Sequence, residues 1–361
     1  MLTNQYLKDV KVLDLSQYIP GPFATRQLAD LGAQVIKVEP PGGDPMRQFM
    51  YTGDESVSPV YRHLNRGKRI CQLDLKSDAG KQILSDLIKG ADVLLESFRP
   101  GVLSRLGFDS DTLEELNPAL VHCALSGYGQ DGPYQLQGGH DINYCAASGA
   151  LSASGTTDKP VMTYPPIADH SGAMQATTLI LAALFTKQRN GVGSYIDVSL
   201  FESCLSWQYL PILDETDSRA EGLINGGAAC YNIYQCADGE FISLGALESV
   251  FWIRFCETVN QPDWIELHHQ PLPQHDLIKQ LQQLFLQKNS SEWNTLFENV
   301  DCCYEPISVI SGLKHHPQIK SRTTLSTEGP NYPARLNHQY VEIDHDYVEI
   351  DNADIPDWLA S

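Results

Sequence analysis

His140 stands in the run Gly138-Gly139-His140-Asp141-Ile142-Asn143-Tyr144, and Asp169 follows 29 residues later in Pro166-Ile167-Ala168-Asp169-His170-Ser171-Gly172. Each sits in a short polar or glycine-containing break between apolar segments. Breaks of this kind let a side chain reach a ligand while the flanking elements hold it in place. An imidazole ordinarily titrates near ~6.5 and passes protons in both directions near neutrality. A carboxylate must be raised by burial or by a neighbouring negative charge to do the same. Two such groups facing one carbon can take a proton from one side and return it on the other, which is racemase or epimerase chemistry.

The elements that must position these groups alternate in type. Val10 to Leu15 is strand-like, and Gly21-Pro22 opens a helical run, Phe23 to Leu31, with Gly32 as its stop. Val35 to Val38 reads as strand, Ala79 to Lys89 as a helix capped by Ser77-Asp78, and Val93 to Leu95 as strand. A helix from Ser110 or Asp111 stops at Pro118, and Leu120 to Leu125 is again strand-like. This rhythm implies an α/β fold, a parallel sheet with helices on its faces and its ligand beyond the carboxyl ends of the strands. A helix is expected from Ser171 to about Arg189, with Asp169 as its N-cap, then a strand at Tyr195 to Leu200 and a helix at Phe201 to Leu210. A helix N-terminus would lower the carboxyl of Asp169 and oppose any raising by burial. Turn chemistry at Asp238-Gly239 predicts a hairpin of Tyr231 to Gln235 with Phe241 to Leu244. The expected organisation is a large domain at 1–200, a linker at 201–224, a small α+β domain at 225–325, and a C-terminal segment at 326–361 returning to the large domain.

Composition narrows the partners. The net charge of −20 argues against nucleic acid and anionic membranes. The charge is uneven: residues 1–105 hold 14 Lys/Arg against 12 Asp/Glu, so a small polyanion such as a phosphate-bearing cofactor would be captured there. No apolar run is long enough to span a bilayer, and Met1 to Lys11 lacks a signal peptide's apolar stretch, so a cytoplasmic protein is expected. The nine cysteines show no spacing for zinc, and no metal is expected. The turn after the first strand, Gln17-Tyr18-Ile19-Pro20-Gly21-Pro22, lacks G-x-G-x-x-G, and no Walker A pattern exists, which argues against a dinucleotide dehydrogenase.

Several segments together resemble the class III CoA-transferase and racemase family (CaiB/BaiF type). They are Val12-Leu13-Asp14-Leu15 to Gly21-Pro22, Ala29 to Pro40, Leu73-Asp74-Leu75-Lys76, Asp92 to Val102 and Gly138 to Tyr144. Gly226 to Tyr231, Ala237 to Phe241, Gly245-Ala246-Leu247-Glu248 and Asp301 to Pro306 extend the match in order to the second half. The His140 and Glu248 segments are most like the alpha-methylacyl-CoA racemase branch. The resemblance implies a Rossmann-like large domain, a smaller domain, and an interlocked homodimer whose active site lies between one subunit's large domain and the other's small domain. It implies an acyl-CoA substrate, with coenzyme A as part of that substrate and no prosthetic group, and a place in fatty-acid or lipid metabolism.

The resemblance also assigns residues. His140 and Asp169 match the two acid/base groups, and Glu248 a partner of the catalytic histidine. Arg99 and Arg105, six residues apart across Pro100-Gly101, match contacts to the phosphates of CoA, where a planar guanidinium binds oxygens in pairs. Leu73 and Leu75 match positions that grip adenine through backbone groups, and Asp141 and Tyr144 positions near the pantetheine and thioester. Pro40 stands where the racemases often carry a phosphate-binding arginine, leaving Lys37, Arg66 or Arg69 as replacements. Met162 and Tyr164 are candidates for an apolar surface under the acyl chain. Two departures weaken the racemase likeness: His170-Ser171-Gly172-Ala173 stands where the racemases tend to carry an aromatic and several glycines, and Asp197 to Ser203 looks more like the general transferase branch. Three functions follow. The first is epimerisation at C2 of a 2-methylacyl-CoA by two bases through an enolate. The second is CoA transfer with Asp169 as nucleophile, for which family transferases usually lack a histidine at position 140. The third is an acyl-CoA binder without catalysis.

Overall fold

The computed structural model describes residues 6–49, 57–214 and 218–351, with Ile355 and Trp358; residues 215–217 of the expected linker lie outside them. The chain divides into two compact units, one of residues 1–148, 164–207 and 318–361, the other of 149–163 and 208–317.

The first unit is built on a seven-stranded sheet. Its strands are β1 (Lys11–Leu15), β2 (Gln34–Glu39), β3 (Lys68–Gln72), β4 (Val93–Glu96), β5 (Val121–Ser126) and β6 (Ser194–Ser199), with Val348–Glu349 at one edge. All neighbours pair in parallel, and beyond that edge strand the order is β3-β2-β1-β4-β5-β6, the Rossmann order. Helices cover both faces, so the strands read as near-continuous apolar runs. β3 escapes that pattern, because Lys68 and Arg69 head it. Lys68 is nevertheless buried: its Nζ reaches Asp14 Oδ2 at 3.1 Å, Pro22 O at 3.0 Å and Asn65 Oδ1 at 3.0 Å. Burial pushes the Lys68 ammonium down to about 8, even against the pull of Asp14. Asp14 is held down at about 2: burial opposes its charge, but Lys68, Lys37 and the hydroxyls of Ser16 and Thr25 outweigh it. This ionic knot lies directly beneath the turn that leaves β1.

The second unit holds the expected hairpin, Tyr231–Gln235 against Phe241–Gly245, joined by Tyr304–Pro306 in a three-stranded antiparallel sheet. Its core is aromatic, with Trp252, Phe255, Phe285, Trp293 and Phe297 buried together. The unit boundaries depart from the expected 225–325. Residues 149–163 and 208–224 also belong to it, because Arg219 donates to Thr156 O at 2.7 Å and Ser152 O at 3.0 Å. Among the described residues no helix is long and apolar enough to cross a membrane.

Candidate active site

The sheet reverses its winding between β1 and β4, and a crevice at the carboxyl ends of the strands is expected there. A cleft of about 710 Å³ occupies it. Gln17, Tyr18 and Pro20 enter from the β1 turn, Ser97 to Pro100 from β4, and Leu125 to Tyr128 from β5. Gln135 and Gln137 to Gly139 line it from the loop ahead of His140, and His140, Asn143, Tyr144, Asp169 and Leu200 complete it, so both groups of the sequence pair face one cavity.

His140 precedes a seven-residue helix, Asp141–Ala147, with extended backbone at φ −126° and ψ 175°. Its N–H donates to Asn143 Oδ1 at 3.0 Å, the return arm of a capping box. Tyr144 fixes the loop ahead of it, donating its hydroxyl to Gly139 O at 2.7 Å. Two glycines permit that approach: a Cβ on Gly127 would meet the Tyr144 oxygen at 2.4 Å, and one on Gly139 its Cε1 at 2.8 Å. Burial first, then the charge of Asp169, pushes the Tyr144 phenol up to about 12, so the hydroxyl remains a donor.

Asp169 is not an N-cap. Its helix runs Ile167–Asn190 and opens four residues earlier than expected, straight after Pro166, which needs no N–H at a helix start. Asp169 falls in the first turn, and its N–H donates to Asp141 Oδ1 at 3.1 Å. The conflict between dipole and burial resolves toward burial. Desolvation, reinforced by the charge of Asp141, pushes the Asp169 carboxyl up to about 7. A second carboxyl behaves alike: Glu96, buried at the end of β4, is raised to about 7 by burial although it accepts from Phe98 N–H at 2.6 Å.

The other assigned residues divide. Arg99 lines the cleft, exposed, with its Nη2 3.1 Å from where a Gly138 Cβ would stand. Arg105 is exposed but lies back over Gly101, outside the cleft lining. Asp141 serves the Asp169 helix, as above, and also accepts from Cys145 Sγ at 3.6 Å. Leu73 is buried in the core, with Leu75 packed against it. The Leu73 N–H already donates to Glu39 O at 2.9 Å, which leaves the backbone grip expected of Leu73 to its carbonyl. Glu248 belongs to the second unit, exposed, at the N-cap of Ser249–Thr258 but without a side-chain capping bond. Met162 is 70% and Tyr164 89% exposed.

Two of the suggested substitutes for the arginine missing at Pro40 fall away. Lys37 is fully buried on Ser16 O at 2.6 Å and Asp44 Oδ2 at 3.0 Å, and Arg66 is held in pairs by Asp30 at 2.8 and 3.1 Å. Arg69 alone of the three is exposed. The sequence reading missed Tyr18, Ser126 and Tyr128. The repeated signal for them is a polar or aromatic residue within three positions of a strand's carboxyl end.

Comparison with known proteins agrees with this architecture. The pattern of CoA-transferase family III matches residues 7–357. An alpha-methylacyl-CoA racemase of Mus musculus is 34% identical over 344 residues, 91% of this chain and 84% of its own. A succinyl-CoA:glutarate CoA-transferase of Homo sapiens is 32% identical over 329 residues, 87% of this chain and 74% of its own. The crystal structure of a CAIB/BAIF family protein from Brucella suis superposes with a TM-score of 0.83 at 23% identity, covering 99% of both chains, and shows the same fold. The chain belongs to CoA-transferase family III and is an enzyme of that superfamily of CoA-transferases and racemases.

Proposed function

We propose that this enzyme epimerises C2 of 2-methylacyl-CoA thioesters. The observation that carries the reading is the shared cleft: His140 and Asp169 both line it, and the Asp169 carboxyl is raised to about 7. The α-proton of a thioester is a weak acid, and its removal needs a placed base of matched basicity. A carboxyl near 7 exchanges protons in the range where imidazoles do. One group takes the C2 proton, the thioester carbonyl becomes an enolate, and the other group returns a proton to the opposite face. Arg99 binds a phosphate of CoA at the rim, and the cofactor portion leaves with the product. The reading includes a homodimer in which the partner's Glu248 holds the His140 imidazole; Met174 at 51%, Phe185 at 57% and Trp207 at 50% exposure are apolar surface that a second copy would cover.

CoA transfer is the second reading, favoured by the Asp169 carboxyl in the cleft and by the transferase relative. Asp169 would attack the thioester carbonyl, expelling CoA thiolate and forming a mixed anhydride; the thiolate would then attack the aspartyl carbonyl, releasing the original acid as a carboxylate and leaving an aspartyl-CoA thioester for the acceptor acid to resolve. That chemistry gives His140 no acid/base task. Binding without catalysis leaves both groups idle. Single variants separate the readings. His140→Ala and Asp169→Asn should each abolish inversion, while each retains solvent exchange from the one epimer whose C2 proton faces the remaining base. Wild-type inversion in His140→Ala would eliminate the two-base mechanism.

A further inference from the structure

The turn after β1 holds an aromatic residue in a backbone conformation that such residues rarely take. Tyr18 lies at φ 64°, in the left-handed region where a Cβ crowds its own carbonyl and glycine is the usual occupant. The turn is pinned on both sides. Gln17 N–H donates to Ser97 Oγ at 3.1 Å, and the buried Asp14 carboxylate accepts from Ser16 N–H at 2.9 Å and Ser16 Oγ at 2.5 Å. Strain of this kind persists where the surroundings over-determine it, and it clusters at working sites. Burial does not explain the tyrosine, which is 45% exposed. What the bend achieves is placement: the ring enters the cleft edge-on to His140, with centroids 6.3 Å apart and planes at 77°. Edge-to-face is a favoured geometry for aromatic rings.

We propose that Tyr18 is a positioning residue for His140, an inference that rests on His140 acting as an acid/base group. His140 is itself exposed, and its capping box with Asn143 holds it at the start of the helix. The Tyr18 ring stands beside the imidazole, narrows its rotation about Cβ–Cγ, and keeps it turned toward the substrate carbon. The hydroxyl has no part in this, so the ring alone matters.

Three variants test it. Tyr18→Gly and Tyr18→Asn suit the left-handed backbone and remove the ring, and Tyr18→Phe keeps it. The first two should retain the wild-type Tm to within a few degrees and lower kcat for C2 exchange about tenfold, with KM for the acyl-CoA within about twofold. Tyr18→Phe should stay within about twofold of wild type. A second readout is free of turnover: the His140 imidazole Cε1–H resonance of the resting enzyme carries the ring current of Tyr18, so it should shift in the Gly and Asn variants and hold in Phe. Wild-type kcat in both ring-less variants, a loss confined to KM, or an unmoved resonance would each overturn the proposal. Absence of C2 exchange in the wild type would overturn the epimerase reading as well, which distinguishes the two failures.

Discussion

The raised carboxyl of Asp169 has a consequence for stability that needs no substrate to observe. Its value moves from 3.8 to about 7 on folding, through burial and the charge of Asp141. That is roughly three pH units at ~1.4 kcal/mol each, a ceiling of about 4 kcal/mol. Asp169 is only partly buried, and water on its cleft side screens the cost to about 2 kcal/mol. The sign follows from proton binding. Below 3.8 the carboxyl is protonated in both states and costs nothing. Between 3.8 and about 7 the native state keeps a proton that the unfolded chain releases, so stability falls as pH rises; above about 7 the penalty is complete. Asp169→Asn is neutral throughout and escapes it. Urea denaturation of wild type and variant at pH 5 and pH 8 should show the variant's advantage growing by about 1 kcal/mol, reaching about 2 kcal/mol at pH 8. Any loss of hydrogen bonding by the amide is common to both pH values and cancels in the difference. An advantage that is flat with pH, or that shrinks toward pH 8, would refute the assignment of a raised carboxyl.

Three further outcomes are expected. Asp141→Asn keeps an acceptor for Asp169 N–H but removes the second cause of the raised carboxyl, so the acid limb of the exchange profile should move down by about one pH unit; an unmoved limb would exclude Asp141 as a cause. Arg99→Ala should weaken CoA binding about tenfold by calorimetry, and the affinity that remains should depend less on salt; unchanged affinity would remove Arg99 from the site. On the proposed homodimer, co-expressed His140→Ala and Glu248→Gln chains should recover roughly a quarter of wild-type activity, because half of the dimers would be mixed and each would carry one intact pair; no recovery would argue against a shared site.

Much of this architecture was legible because helices and strands in an α/β layer fold carry period-specific apolar patterns. β1, β2, β4, β5 and β6 stand within a residue or two of their expected limits. β3 was hidden because its buried Lys68 reads as surface until Asp14 is brought beside it. The start of the Asp169 helix was misjudged because the acid looked like a cap, and Pro166 proved the stronger signal. Sequence also offered Lys37 and Arg66 as phosphate ligands, since a charge in a string does not disclose an internal partner such as Asp44 or Asp30. His140 and Asp169 were legible as types, but their common cleft is a product of the β1–β4 switch point. Tyr18 carried a signal of place, three residues beyond the end of β1, but nothing in its residue type announces a positive φ.

Incubation of the wild-type enzyme with a single epimer of a 2-methylacyl-CoA in D₂O, with no carboxylic acid acceptor present, tests the central claim most directly. The account predicts one deuterium at C2 accompanied by inversion until both epimers are present. Retained protium at C2, together with movement of CoA to a carboxylic acid once one is added, would contradict it.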